Sequence, residues 1–193
     1  MFVIETERLA LRRLDLNDAG FIFDLLNQPS FIRFIGDKGV RNLEDARNYL
    51  VSGPLESYRR FGFGLYLLSL RAQSLQSPHA HSATSSLRTD GATSALRGDS
   101  PSIGICGLVK RETLRDVDVG FALLPQYAGR GYATESARAV LAYGRETLGL
   151  ERIVGITAPD NRASIAVLEK IGLRFEASVV LGAEAHAVSL YGP

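Results

Sequence analysis

A strand pattern, a glycine-bearing loop and a helix pattern follow one another between residues 116 and 149, and this stretch constrains the fold most strongly. In the segment DVDVGFALL (116–124), large apolar side chains alternate with smaller or charged ones. This period of two predicts a β-strand, which Pro125 ends. From Gly131 onward, small and apolar residues recur at the spacing of one helix face, up to Gly149. The chain must therefore place a helix against a sheet that contains this strand.

The loop between this strand and this helix, residues 126–133, carries Gly129 and Gly131, which permit tight backbone geometry and close approach by a ligand. The helix directs its first N–H groups, and the positive end of its dipole, back toward the loop. Such a turn suits a pyrophosphate, to which Arg130 could add a charge-assisted hydrogen bond. A Walker loop and a dinucleotide fingerprint both fail, because Tyr132-Ala133-Thr134 follows the second glycine. On the glycines alone, a loop that only turns the chain is an equal alternative.

Shorter patterns on both sides predict the remaining elements. Further strands are predicted at six places: 9–14, 62–71, 102–110, 152–158, 175–180 and 185–190. Helices are predicted from Asn17 or Asp18 to Asn27, from Asn42 to about Ser57, and from Asp160 or Asn161 to Lys170, with Arg33 and Phe34 between the first two. The order β-α-α-β-β-β-α-β-α-β-β indicates an α/β (α+β) chain with a mixed, mainly antiparallel sheet flanked by helices.

Residues 72–100 differ in composition from everything around them. They include 7 Ser, 5 Ala, 3 Thr and 2 Gly, and no aromatic residue, Ile or Val. Such a segment cannot bury enough apolar surface to offset the entropy of ordering it, so we expect a disordered, low-complexity insert in the loop between two antiparallel strands. His79 and His81 lie inside it, and without a third ligand nearby they do not predict a metal site.

The overall composition excludes several classes of protein. The 22 basic residues against 21 acidic ones leave a net charge of +1, which argues against a dedicated nucleic-acid binder. The single cysteine, Cys106, supports neither a disulfide framework nor a multi-thiolate zinc site, and no metal is expected. Residues 1–13 do not read as a signal peptide, and no run of about 18 apolar residues exists. We expect a soluble, cytoplasmic protein that does not insert into membranes.

Three separated motifs resemble one family. Gln126-Tyr-Ala-Gly-Arg-Gly131 is similar to the Q/R-x-x-G-x-G/A signature of the GNAT superfamily of acyl-CoA N-acyltransferases. The segment 161–175, NRASIAVLEKIGLRF, resembles the "N-x-x-S … E-K-x-G-F" stretch of the ribosomal-protein-alanine N-acetyltransferase (Rim-like) branch. The opening ETERLALRRL, 5–14, resembles the "T-x-R-L-x-L-R" start of that branch. The resemblance covers nearly the whole chain except 72–100, and it implies a single acetyltransferase domain over 1–193.

The resemblance also implies a cofactor and the residues that bind it. Acetyl-CoA would be the co-substrate, and its pantetheine arm would pair with the backbone of Phe121, Ala122 and Leu123. Asn161 would contact the same arm, and Ser164 would lie near the thioester sulfur. The residues expected to hold the pyrophosphate are Gln126, Tyr127, Ala128, Gly129, Arg130, Gly131, Tyr132 and Ala133.

Transfer to an amine needs a base, because a protonated amine has no lone pair. Asp118 is the leading candidate, since Rim-like relatives often carry a Glu there; a solvated or ion-paired strand acid is the equal alternative. Asp116 is held in reserve. Many relatives use a tyrosine as the proton donor to the leaving thiolate, but Leu168 occupies that position here. Ser164 is therefore proposed as the donor, with helix capping as its alternative role.

The acceptor is less well defined than the cofactor. We expect a primary amine, either a protein N-terminus or a small molecule, which the resemblance places around Phe31–Gly36 and Leu181–His186. Cys106 is expected to be a small buried hydrophobe, and His186 is assigned no role. A non-catalytic CoA-binding module on the same fold and a nucleotide-binding enzyme are the alternative functions. The protein could act as a monomer or as a homodimer.

Overall fold

The structure is a computed structural model, and it describes residues 2–71, 100–181 and 187–193. In this part of the chain eight strands form one sheet in the order β1-β2-β3-β4-β5-β6-β8-β7. All neighbouring strands are antiparallel except β5 and β6, which are parallel. The strands are β1 Phe2–Glu5, β2 Leu9–Arg13, β3 Leu65–Leu70, β4 Ser102–Val109, β5 Val117–Leu123, β6 Ile153–Thr157, β7 Arg174–Val180 and β8 Ala187–Gly192.

Helices cover both faces of this sheet. Leu14, Ile22, Leu50 and Ile105 belong to the apolar cluster on the face that carries the early helices, whereas Val140 belongs to the cluster on the other face. The α-helices are α1 Ala19–Leu26, α2 Pro29–Phe34, α3 Leu43–Leu50, α4 Glu56–Phe61, α5 Tyr132–Glu146 and α6 Arg162–Lys170. The predicted fold class, a mixed and mainly antiparallel sheet flanked by helices, is confirmed.

The predicted order of elements needs two additions. The strand β1 was not predicted; it is only four residues long and pairs with β2. The helix α2 occupies the stretch that was predicted as a connection around Arg33 and Phe34. Pro29 is its first residue, a position where the missing N–H of proline costs nothing, and Phe31 is buried.

The first helices begin at side-chain caps, one of which differs from the prediction. Asp15, rather than Asn17 or Asp18, provides the cap: its carboxylate accepts the N–H of Asn17 at 2.7 Å at the start of a 3-10 turn that leads into α1. The carboxylate of Asp18 is instead held by Arg12 at 2.6 Å. Asn42 caps α3 as predicted, because its side-chain oxygen accepts two backbone N–H groups at 2.9 Å.

The helix predicted to run to Ser57 is interrupted. After α3, residues Val51–Leu55 form a π-helical turn that contains Pro54, and α4 follows. Proline has no N–H to donate to the preceding turn, which explains why a regular α-helix does not continue through this point. The bend turns residues of α3, the π-helical turn and α4 toward the same side of the molecule as β5.

The antiparallel pair predicted around the insert is confirmed. Leu65 pairs with Gly107, and the pairing extends to a hydrogen bond of 3.1 Å between the Leu70 N–H and the Pro101 carbonyl. Residues 72–99, including His79 and His81, lie outside the described part of the chain. The disordered insert and the single domain over 1–193 therefore stay predictions.

The strands β5 and β6 separate soon after they meet. Val117 pairs with Ile153 and Asp118 pairs with Val154, and there the pairing ends. Beyond this point β6 is bonded on its other side to β8, while β5 continues along β4 as far as Leu123. The edge of β5 that faces β6 is thus open from Val119 onward, and the sheet splits at Asp118.

Two glycines that pair across β4 and β5 should differ in how strongly their replacement by alanine destabilises the fold. A Cβ on Gly107 would lie 2.1 Å from the Gly64 carbonyl oxygen, whereas one on Gly120 would lie 3.5 Å from its nearest neighbours, Leu65 and Val109. We expect Gly107→Ala to lower the free energy of unfolding by about 1–3 kcal/mol, because backbone atoms must shift. Gly120→Ala, its control, should change that free energy by less than about 1 kcal/mol. Urea unfolding of both variants measures this, and equal effects would contradict the packing at Gly107.

Candidate active site

A cleft of about 580 Å³ opens where β5 leaves β6. One wall is formed by the early helices and the other by the end of β6 and the start of α6. Between them lies β5, which lines the cleft with residues 118–122. The side chains of Val117 and Val119 belong to the apolar cluster on the other face, so the predicted alternation along this strand is confirmed.

The predicted loop follows β5 directly. Pro125–Tyr127 form a 3-10 turn, in which the N–H of Tyr127 donates to Leu124 and the N–H of Ala128 donates to Pro125. Gly129 and Gly131 have φ angles of +73° and +82°, a left-handed conformation that other residues adopt only with strain. These two residues turn the backbone so that α5 begins at Tyr132. As at any helix start, its first N–H groups have no intrahelical partner and can receive an anion.

Side chains from the start of the chain fix this loop. Arg8 donates through Nε to the Glu135 carboxylate at 2.7 Å and through a terminal nitrogen to the Arg130 carbonyl at 3.2 Å. Its guanidinium also lies 4.8 Å from the ring centre of Tyr132. Thr6 donates to the same carboxylate at 2.6 Å. Partial burial raises the pKa of Glu135, but the hydrogen bonds from Thr6 and Arg8 outweigh it and the net pKa is lowered. The carboxylate is therefore charged at neutral pH.

This arrangement at Glu135 was not predicted, although the sequence contains a signal for it. Neither the contacts of Arg8 nor a role for Glu135 was predicted. An acidic residue in the first turn of a helix that binds an anion would repel that anion, because both lie at the same positive helix end. A cation that neutralises the acidic residue removes this repulsion. A conspicuous arginine in the opening T-x-R-L motif was available to supply that cation.

Asn161 and Ser164 lie together at the start of α6, on the wall of the cleft opposite the early helices. The side-chain oxygen of Asn161 accepts the Ser164 N–H at 3.1 Å, so Asn161 is the cap of this helix. Its amide NH2 is then the group that can donate to a ligand. Leu168 is buried against Gly155 of β6, and it offers no proton donor.

Asp118 is buried, with 1% of its side chain exposed, and it borders the cleft. Arg111 donates to it from Nε at 2.8 Å and from a terminal nitrogen at 3.3 Å. Burial raises the pKa of Asp118, and the charge and hydrogen bonds of Arg111 oppose that rise only in part. The ion-paired alternative for Asp118 is therefore present in the structure, and the pair itself lies in the cleft.

Asp116, the reserve candidate, is elsewhere. Its carboxylate accepts a hydrogen bond of 2.9 Å from Arg152, which also binds Glu176 of β7. Among the described residues that line the cleft Asp116 is absent. The two aspartates are only two positions apart, but their side chains serve different places, and Asp118 alone is kept as the candidate base.

Cys106 lies in the sheet and is fully buried, as expected of a small hydrophobe. Burial raises the pKa of its thiol to about 12, so it carries no thiolate at neutral pH. Within residues 2–71, 100–181 and 187–193, no group of three or more His, Cys, Asp or Glu side chains is placed to hold a metal ion. None of the helices described there has the length and the apolar character needed to span a bilayer.

The segment from α2 to α3 adds two titratable groups that the sequence analysis did not identify. Lys38, between α2 and α3, and Tyr49 of α3 border the cleft on the side of Arg111. Partial burial lowers the pKa of Lys38, and the nearby charge of Arg111 lowers it further. Burial raises the pKa of Tyr49, against the opposing charge of Arg111.

Of the two segments expected to shape the acceptor site, residues 31–36 are described in full. Phe31, Phe34 and Ile35 of this segment line the cleft from α2 and its end, and their role toward an acceptor stays a prediction. Leu181 also lines it. Residues 182–186, with His186, lie outside the described part of the chain.

The chain is similar to known proteins in sequence and in fold. Residues 8–174 match the family described as acetyltransferase (GNAT) domain. A Bacillus subtilis (strain 168) protein named uncharacterized N-acetyltransferase YnaD is 24% identical over 173 residues, which cover 90% of this chain and 83% of that protein.

Solved structures show the same fold. An acetyltransferase (GNAT family) from Bacillus anthracis has a TM-score of 0.71 at 24% identity and covers 100% of this chain and 98% of its own. The ribosomal L7/L12 α-N-protein acetyltransferase RimL, solved with coenzyme A, has a TM-score of 0.74 at 17% identity and covers 100% and 97%. Because the family match spans most of the sequence and the fold agrees, the chain belongs to the GNAT family of acetyltransferases.

Proposed function

We propose that the protein transfers an acetyl group from acetyl-CoA to a primary amine, by direct attack of the amine within a ternary complex. One observation carries the proposal. The sheet splits at Asp118, so that the open edge of β5, the Asn161–Ser164 turn and a buried carboxylate border a single cleft. A donor bound along the strand and an acceptor bound against the early helices would meet at that carboxylate.

The residues fit acetyl-CoA, which would supply the acetyl thioester. The backbone of Phe121, Ala122 and Leu123 is unpaired toward β6 and can receive the pantetheine arm, with the amide of Asn161 as a further donor. The pyrophosphate would lie on the backbone N–H groups of the loop and of the start of α5. The residues proposed to form this site are Gln126, Tyr127, Ala128, Gly129, Arg130, Gly131, Tyr132 and Ala133. The N–H groups of Tyr127 and Ala128 already donate within the 3-10 turn, so the N–H donors to the pyrophosphate would come from the other residues.

Asp118 would accept the proton of the attacking amine. A raised pKa makes it a stronger base than a solvent-exposed aspartate, and Arg111 holds its carboxylate in one orientation. Because direct transfer forms no acyl-enzyme, the protein needs no nucleophile of its own, in agreement with the protonated thiol of Cys106.

Ser164 would stabilise the leaving thiolate by donating a hydrogen bond to its sulfur. Its backbone N–H is used in the cap with Asn161, and the residue borders the cleft. A serine is a weaker acid than the tyrosine found at the position of Leu168 in many relatives, so the hydroxyl would act as a hydrogen-bond donor to sulfur rather than as a strong acid.

The direct test measures thiol release from acetyl-CoA in the presence of amine acceptors. We expect acetyl-CoA to bind and the release of free CoA to depend on an amine, which can be followed with a thiol reagent across N-terminal peptides, polyamines, aminoglycosides and amino acids. Product mass should increase by one acetyl group. Tight binding of acetyl-CoA without release by any acceptor would favour a non-catalytic CoA-binding module instead.

Asp118→Asn tests the base. Loss of a general base should lower kcat by about 10²-fold or more while the affinity for acetyl-CoA changes little. In the wild type, kcat/KM should fall as the pH drops through the pKa of Asp118, which lies above that of an ordinary aspartate, because protonated Asp118 cannot accept the proton.

The control for this variant is Asp116→Asn, which removes a carboxylate from the same stretch of chain but not from the cleft. It should retain turnover. The profile of kcat/KM against pH has one limb set by the acceptor amine and one set by Asp118. Changing the acceptor should shift the first limb and leave the second in place. Unchanged turnover in Asp118→Asn would remove this residue from the mechanism.

A further inference from the structure

The cleft is bordered by more positive than negative side chains. Four cationic side chains border the cleft among the described residues: Lys38, Arg60, Lys110 and Arg111. Only two carboxylates do so, those of Glu56 and Asp118. The chain as a whole is almost neutral, with a net charge of +1, so this excess is a local property of the cleft.

Both carboxylates already have cationic partners within the protein. Glu56 is bound by Arg59 at 2.6 Å, and hydrogen bonds from Arg59 lower its pKa. Asp118 is bound by Arg111. In the described part of the chain, the cleft therefore has no unpaired carboxylate that could hold a second ammonium group of an acceptor.

The cations are less fully compensated. Lys110 is occupied by the backbone carbonyls of Leu114 and Arg115. Lys38, in contrast, forms no ion pair or hydrogen bond with any described residue, and Arg111 is the charged neighbour that influences it. Two like charges held near each other at a cleft wall repel, and an anion placed between them would relieve that repulsion.

Arg111 has a further donor to offer. It contacts Asp118 through Nε and one terminal nitrogen, which leaves its other terminal nitrogen for a ligand. Its side chain is 38% exposed, so that this donor can be reached from the cleft.

We propose that the acceptor is an amine that also carries a carboxylate or a phosphate, with the amine at Asp118 and the anionic group at Lys38 and Arg111. This inference rests on the proposed acetyl transfer and narrows its substrate class. Because Arg111 touches the very carboxylate that would accept the proton, the anionic group must lie within a few bonds of the amine. A polyamine has the opposite charge pattern, and the same cations would repel it.

Matched pairs of acceptors test the inference, and each pair differs only in the anionic group. Serine is compared with serinamide, phosphoethanolamine with ethanolamine, and spermidine represents polyamines. We expect at least one anionic member to have a kcat/KM about tenfold or more above that of its neutral partner. The comparison of serine with serinamide is conservative. The amide lowers the basicity of the amine, so a larger fraction of serinamide is in the neutral, reactive form, and this alone would favour serinamide. The two pairs separate a carboxylate ligand from a phosphate ligand.

Lys38→Met tests the site itself. The variant should raise KM for the preferred anionic acceptor about tenfold, with a smaller change in kcat, and should reduce its advantage over the neutral partner. Arg47→Met is the control: Arg47 is an exposed cation on α3 that does not border the cleft, so its loss changes the net charge equally. It should leave both KM values unchanged.

Binding separates failure of this inference from failure of the proposed function. In the presence of CoA, an anionic amine should raise the melting temperature more than its neutral partner does, and Lys38→Met should abolish the difference. This result without any turnover would support the anion site and overturn acetyl transfer. Efficient turnover of spermidine or of the neutral partners would overturn the anion site and leave acetyl transfer standing. Equal binding of both members of every pair, in the wild type, would also overturn it.

Discussion

The separation of β5 from β6 is the constraint on which the rest of the site depends. Parallel pairing stops at Asp118 and Val154, after which β6 continues along β8 on its far side and β5 continues along β4. Once the strands part, the backbone groups of β5 need another partner, since unpaired backbone groups away from water are costly. An extended ligand with amide groups can supply those bonds, and the same opening admits an acceptor from the face that carries the early helices.

The ion pair of Asp118 and Arg111 links the two halves of that opening. A carboxylate with 1% of its surface exposed would be costly without a cation, and Arg111 provides one from the segment just after β4. Arg111 in turn is a cation on a half-exposed surface, where it can also face an acceptor. One pair thus stabilises the end of the β4–β5 hairpin, sets the pKa of the proposed base, and contributes to the positive charge of the cleft.

Patterns within a few residues predicted the elements of the fold well, whereas contacts between residues far apart in the sequence were not predicted. The alternation of β5, the loop at Gly129 and Gly131, and the caps at Asn42 and Asn161 all depend on residues within a few positions of each other. The cap at Asp15 was not predicted, because Asp15, Asn17 and Asp18 are all suitable capping residues in the sequence. In the structure the Asp18 carboxylate forms an ion pair with Arg12, and Asp15 provides the cap.

The missed site residues are missed for a related reason. Lys38 is in a loop with no periodic pattern, and nothing local places it beside Arg111, more than seventy positions later. Arg111 was more accessible to prediction: the β4–β5 register pairs Val109 with Asp118, so a cation two residues past Val109 falls diagonally across from the buried acid. Asp116 shows the converse. It is two positions from Asp118, as residues on one face of a strand are, but β5 begins only at Val117 and Asp116 does not border the cleft.

Arg8, near the start of the chain, supports the loop that we propose for the pyrophosphate. Gly131 is constrained by its backbone, because its φ of +82° disfavours a side chain. The guanidinium binds the carbonyl of Arg130, so the carbonyl is directed toward β2. In an anion-binding turn successive N–H groups converge on one side, so a carbonyl that Arg8 holds on the opposite side helps to keep the neighbouring N–H groups toward the ligand. Glu135 then serves to retain Arg8 in this position, and its negative charge at the helix start is neutralised by the residue that it holds.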